Sequence, residues 1–148
     1  SITILIMEFI NKEEEKRLIA AIKSAELGSS AEIKVHIDKY CKGNPLDEAV
    51  RWFLKLKMEQ TKDRNGVLIY VAYKDKKVAI IGDKGINALI GETFWDSTYH
   101  LMREQFKKGN MCEGLCDAIG NVSKKLKQFF PYATDDVNEL SDDISYGN

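Results

Sequence analysis

TKDRNGVLIYVAYKDKKVAIIGDKGINALIGETFWD, residues Thr61 to Asp96, is the stretch whose reading decides the fold. It contains two short runs rich in β-branched and other apolar residues, Gly66 to Tyr73 and Lys77 to Gly82, joined by the polar turn Lys74-Asp75-Lys76. Runs of this length, bounded by Gly, Asp and Lys, predict a hairpin of buried strands. An antiparallel pair sets the start of its first strand beside the end of its second. Lys62-Asp63-Arg64-Asn65-Gly66 is therefore expected next to Gly82-Asp83-Lys84-Gly85, which gathers two carboxylates, a guanidinium and an amide at one sheet edge.

Upstream, Asn11 with Glu14 has the spacing of a capping box. The helix it opens carries the apolar stripe Leu18, Ile19, Ile22 and Ala25 and stops at Gly28. Glu32 to Asp38 alternates, with Ile33, Val35 and Ile37 on one face and Glu32, Lys34 and His36 on the other, which predicts a strand. His36 is expected to be a packed or hydrogen-bonded residue rather than a ligand or base. Asn44 and Pro45 form a helix start, and the helix is read as continuous from Leu46 to Gln60 and broadly apolar, with Leu46, Ala49, Val50, Phe53, Leu54 and Leu56. Strand, helix, strand makes the first two strands parallel through a right-handed crossover. The hairpin then adds an antiparallel strand, giving a mixed sheet.

Downstream, Ile86 to Glu92 reads as a loop or short helical turn. A helix is expected from Thr93 to Lys108 with Gly109 as its stop, and another from Met111 to Phe130, ended by Pro131.

The chain has 148 residues, 44% apolar and 30% charged, with a net charge of −1. That bounds it to one ordinary soluble domain and provides no basic field for nucleic acid. Residues 11–131 are read as the domain. Residues 132–148 form an acidic tail, for no Lys or Arg follows Lys127, and its interspersed Val137, Leu140, Ile144 and Tyr146 are expected to dock it on the domain. Residues 1–10 hold an apolar segment too short for a signal peptide or membrane span, read as an edge strand or a leftover of expression. No membrane association is expected. Three cysteines, with Cys112 and Cys116 four apart and no His beside them, suit buried thiols in a reducing, cytoplasmic setting better than zinc.

Two places could hold a hard cation, which needs several carboxylate, amide or carbonyl oxygens. The first is the converging edge, with Asp63 and Asp83, followed by Glu92 and Asp96. The second is the tail, with Asp136 and Glu139 among its acids, although no EF-hand spacing occurs there. The bland alternatives are a simple turn at Asp63, a first-turn helix carboxylate at Asp96 and a solvated acidic end. No G-x-S-x-G elbow, Walker A loop or H-E-x-x-H motif is present.

Asn65-Gly66-Val67-Leu68-Ile69-Tyr70-Val71-Ala72, the strand ending Gly82-Asp83-Lys84-Gly85-Ile86, and Phe106-Lys107-Lys108-Gly109 before Gly114-Leu115 together resemble the TPM domain. This family is also called the TPM phosphatase family and includes a thylakoid lumen acid phosphatase. The resemblance runs from about Asn11 to Phe130, and the end of the chain is similar to small stand-alone bacterial members. It implies a three-layer α/β/α sandwich around a small mixed β-sheet of about four strands. It also implies Ca²⁺ or Mg²⁺ binding near the hairpin loops and, for some members, phosphatase activity. The family's ligands carry over first to Asp83, then to Asp63 and Asp96, and last to the tail. The chain departs from the family's usual G-x-G after the third strand, where it has Gly82-Asp83-Lys84-Gly85. The signal peptide and membrane tail of many members are not expected here.

Three functions follow as expectations. The first is a regulatory divalent-cation module. The second is a metal-dependent phosphatase in which Arg64 or Lys84 offsets phosphate charge. The third is an interaction domain whose acidic tail meets a basic protein partner of unknown identity.

Overall fold

A computed structural model describes residues 9–131 and 144–148. Helix α1 (Lys12–Leu27) is followed by β1 (Glu32–Asp38), α2 (Pro45–Lys55), a 3₁₀ turn (Met58–Gln60) and the hairpin β2 (Gly66–Ala72) and β3 (Lys77–Gly82). Then come α3 (Lys84–Ile90), α4 (Glu92–Lys107), α5 (Met111–Phe129) and β4 (Ser145–Tyr146). The strands form one mixed sheet in the order β3-β2-β1-β4, parallel except for the hairpin.

Local chemistry sets the element ends. Asn11 accepts from the Glu14 amide at 2.8 Å while the Glu14 carboxylate accepts from the Asn11 amide at 3.1 Å, a complete capping box. Asn44 caps α2 through the Leu46 amide at 2.8 Å, with Pro45 in the first turn.

The two faces of the sheet bury different sets of residues. Ile33, Val35 and Ile37 of β1 and Val67, Ile69 and Val71 of β2 pack with α1 and α5 in the larger core, which includes Leu18, Ile22, Leu115 and Leu126. Leu68, Tyr70 and Ala72, on the alternate positions of β2, meet Ala49 and Phe53 of α2 and Met58 in the smaller core. Period-2 strands covered by helices on both faces make the α/β/α sandwich.

Three local readings change. The helix read as running to Gln60 ends at Lys55, because Lys57 turns to φ 58° and a 3₁₀ turn follows. No glycine signals that break. The broadly apolar α2 buries only its Ala49 and Phe53 line, leaving Leu46, Val50 and Leu54 about half exposed. The segment after Gly85 is a full helix, α3, whose N-cap is Asp83.

Candidate functional site

The converging edge forms as the hairpin register requires. Val67 pairs with Gly82, and the Asp83 amide donates to the Gly66 carbonyl at 2.9 Å. Glu32 of β1 lies opposite Gly66, and the Asn65 side-chain amide reaches the Ser30 hydroxyl at 3.3 Å. Gly85 runs directly under the preceding loop: a Cβ there would stand 2.1 Å from the Asp63 carbonyl oxygen. Its amide donates to the Arg64 carbonyl at 2.9 Å. Only glycine allows that approach.

Arg64 takes the left-handed conformation, φ 51°, and its guanidinium forks onto Asp83. Nε donates to Oδ2 at 2.7 Å and Nη2 to Oδ1 at 2.9 Å. Asp83 Oδ1 also accepts from the Lys84 amide at 2.8 Å, capping α3. The Asp83 side chain is 7% exposed and that of Arg64 38%. Both Asp83 oxygens are thus engaged, one of them twice.

A cavity of about 660 Å³ opens beside this pair. Among the described residues Glu59, Asp83, Glu92 and Asp96 line it, with Arg64 as the one cation. Leu46, Val50 and Leu54 of α2 form an apolar side. The Trp95 ring lies against the end of β3, close enough that a Cβ on Gly82 would meet it at 2.7 Å. Two buried polar atoms among these lining residues lack a hydrogen-bond partner, Glu59 Oε2 and Trp95 Nε1.

Of the residues expected to bind a cation, Asp83, Glu92 and Asp96 therefore line one cavity, while Asp63 is exposed and is not among its lining residues. Asp136 and Glu139 lie outside the described residues. Among the described residues no three His, Cys, Asp or Glu side chains gather closely enough to hold a metal on their own. Sequence reasoning missed Glu59, which it placed at the end of a continuous helix.

A second polar cluster lies inside the sheet. His36 is fully buried, with Nε2 at 2.9 Å from Asp38 Oδ1 and Nδ1 at 2.9 Å from the Ser145 hydroxyl. The Tyr70 hydroxyl donates to Asp38 Oδ2 at 2.8 Å, and the His36 ring stacks on Trp52 with centroids 3.7 Å apart. Burial pushes the Asp38 carboxyl up, but hydrogen bonds from His36 and Tyr70 outweigh it and hold the group below its ordinary value. The expected packed, hydrogen-bonded His36 is what the fold contains. The cluster anchors β4, since Gly147 donates to the Ile37 carbonyl and Asn148 accepts from the Lys39 and Tyr40 amides.

The three cysteines are free thiols. Cys112 and Cys116 stand with sulfurs 4.0 Å apart, and burial first, then its neighbour, pushes the Cys116 thiol up to about 12.

Residues 7–125 match the TPM domain. The chain belongs to the TPM domain family. The TPM fold described above is shared with the BA42 protein from the psychrophilic bacterium Bizionia argentinensis, solved by NMR. That protein is 45% identical, with 94% of this chain and 96% of that one covered and a TM-score of 0.87. Two N-terminal domains show the fold alone. One, from P. gingivalis, is 15% identical, with 84% and 82% covered and a TM-score of 0.70. The other, from the cg2496 protein of Corynebacterium glutamicum, is 11% identical, with 88% and 81% covered and a TM-score of 0.66. No curated protein matches this TPM domain. Among its described residues no helix is long and apolar enough to cross a membrane.

Proposed function

We propose that this TPM domain binds a divalent cation, Ca²⁺ or Mg²⁺, in the acidic cavity, where the ion fastens the 3₁₀ turn to the first two turns of α4. The observation that carries the reading is the unpartnered buried Glu59 Oε2 in the cavity that Glu92 and Asp96 also line. A buried carboxylate oxygen without a donor is costly, and a hard cation is the partner its chemistry accepts. Mg²⁺ keeps several waters and uses one or two carboxylates, which suits walls on which no three acids cluster. Asp83 serves here as the group that positions Arg64 and caps α3. It becomes a ligand only if Arg64 lets go. Asp63, which does not line the cavity, and Asp136 and Glu139, which lie outside the described residues, are kept as separate candidate oxygen donors.

Chelation followed by Ca²⁺ or Mg²⁺ titration, read by residue-resolved NMR, tests this reading. Saturable shifts at Glu59 and across Asp83 to Asp96 are expected, with a melting temperature that rises with ion concentration by linkage. Both should be lost in Glu92→Gln with Asp96→Asn. An unresponsive spectrum at millimolar ion overturns the reading.

One observation favours a metal-dependent phosphatase as the second reading. Arg64 lines the cavity and has donors beyond the two given to Asp83, so it could take a phosphate oxygen. A bound cation supplies Lewis-acid charge in such reactions. Among the described residues no Ser, Thr, Cys or His side chain lines the cavity, so these residues offer water activation and charge neutralisation there rather than a covalent route. Mg²⁺-dependent turnover of a phosphomonoester, abolished in Arg64→Gln, is the expected signature. No turnover across a broad phosphate panel leaves the cation module alone.

A further inference from the structure

The hairpin's other end carries a second, smaller cavity of about 250 Å³ between the β2–β3 turn, the second half of α4 and the start of α5. Its walls are apolar and aromatic. Phe9 stacks on Tyr73 with centroids 5.2 Å apart, and Val78, Phe106 and Met111 complete the surface. Among the described residues four cations line it, Lys76, Lys77, Arg103 and Lys107, and no carboxylate does. In a chain of net charge −1 that is a local concentration of positive charge.

The four cations are not equivalent. Lys77 turns its ammonium to the carbonyls of Cys41 and Gly43, at 2.9 Å each, so two of its three donors are already spent. Lys107 meets Glu104 at 3.4 Å in an exposed pair, which is weak. Arg103 donates to the neutral Tyr99 hydroxyl, at 3.0 Å. Lys76 and Arg103 have no carboxylate partner among the described residues.

Lys76 also occupies a left-handed backbone position, φ 53°, where glycine or asparagine is favoured. A strained position that keeps a cation is the kind of outlier from which function is argued. The carboxyl end of α4 and the amino end of α5 meet here, so their dipoles oppose each other. The side-chain cations then decide the sign of the field.

From this geometry we infer a binding site for a small free amphipathic carboxylate, with an aromatic or short acyl body. The body packs on Phe9, Tyr73 and Phe106, and the carboxylate is held by Arg103 and Lys76. Guanidinium and carboxylate match as a two-point fork. The volume lies just below the roughly 300–1,000 Å³ of drug-sized sites, which limits the ligand to a small one. The site is independent of the cation reading, being lined by none of the same residues.

The test is an amide NMR titration of the full chain with decanoate, decanol and phosphatidylglycerol vesicles in parallel. Decanoate should give saturable shifts confined to Phe9 and to residues 71–78 and 103–111. It should bind about a hundredfold more tightly than decanol, the ratio expected for two hydrogen bonds between charged groups. Arg103→Gln and Lys76→Gln, both at exposed positions, should each weaken decanoate about tenfold and leave decanol unchanged. Equal binding of decanol and decanoate, shifts elsewhere, indifference to both substitutions, or response to vesicles alone would each overturn the proposal.

Discussion

The two ends of the β2–β3 hairpin are built on opposite plans. At the open end, charge is locked into the fold: Asp83 is buried, forked by Arg64 and tied to the amide of Lys84. At the turn end, charge stands loose on an apolar cavity, with Lys76 and Arg103 exposed and without acidic partners among the described residues. The first arrangement couples any ligand to the stability of the loops. The second lets charge change without disturbing the core. Acidic residues therefore do structural work at one end, while basic residues at the other are free for recognition.

The largest effect expected from this contrast is at Gly85. A methyl group there must displace the Asp63 and Arg64 carbonyls, and Gly85→Ala should cost about 3 kcal/mol in chemical denaturation. Asp83→Ala comes next, at about 2–3 kcal/mol, since it removes a helix cap and strands a partly exposed guanidinium. Asp83→Asn, which can still cap α3, should cost clearly less. Equal losses for Ala and Asn would mean that the ion pair, not the cap, is what the open end depends on.

The far edge of the sheet gives a control that neither end should move. The Asp38 carboxyl is held below its ordinary value of 3.8. Its contribution is complete above that value and is lost as pH falls through the depressed one. Hydrogen exchange at residues 145–148 should therefore accelerate only below about pH 3.8, and Asp38→Asn should remove that step. Protection lost near neutral pH would assign the latch to another group. The smallest effect is expected at the turn end: Lys76→Asn and Arg103→Gln should each change stability by about 0.5 kcal/mol or less. A loss comparable with that of Asp83→Ala would erase the contrast.

Much of this was legible in the chain. The hairpin, its register and the meeting of Asp63-Arg64 with Gly82-Asp83 follow from period and antiparallel geometry. The caps at Asn11 and Asn44 follow from spacing. What escaped has physical reasons. Helix α3 is short and contains Gly85, so it lacks an apolar period to display itself, and Asp83 caps it while also holding Arg64. The break at Lys57 uses a left-handed lysine, which composition does not signal, so Glu59 was left on a helix instead of in the cavity. Leu46, Val50 and Leu54 look like core in a sequence because a spacing of four does not say which side of α2 faces the sheet. The basic cavity joins residues from the turn, α4 and α5, which no single window of sequence brings together.

Strand β4 has a consequence for how the chain folds. The strands β1, β2 and β3 follow one another closely, but Ser145 lies 109 residues from the histidine it bonds. Long-range pairings of this kind form late. Until residues 145–148 arrive, β1 presents an open row of backbone donors and acceptors, the template on which edge strands recruit other chains. A variant that weakens the Asp38 latch should then trade this segment between molecules, each copy completing its neighbour's sheet. Reciprocal dimers would grow with protein concentration and dissolve on dilution.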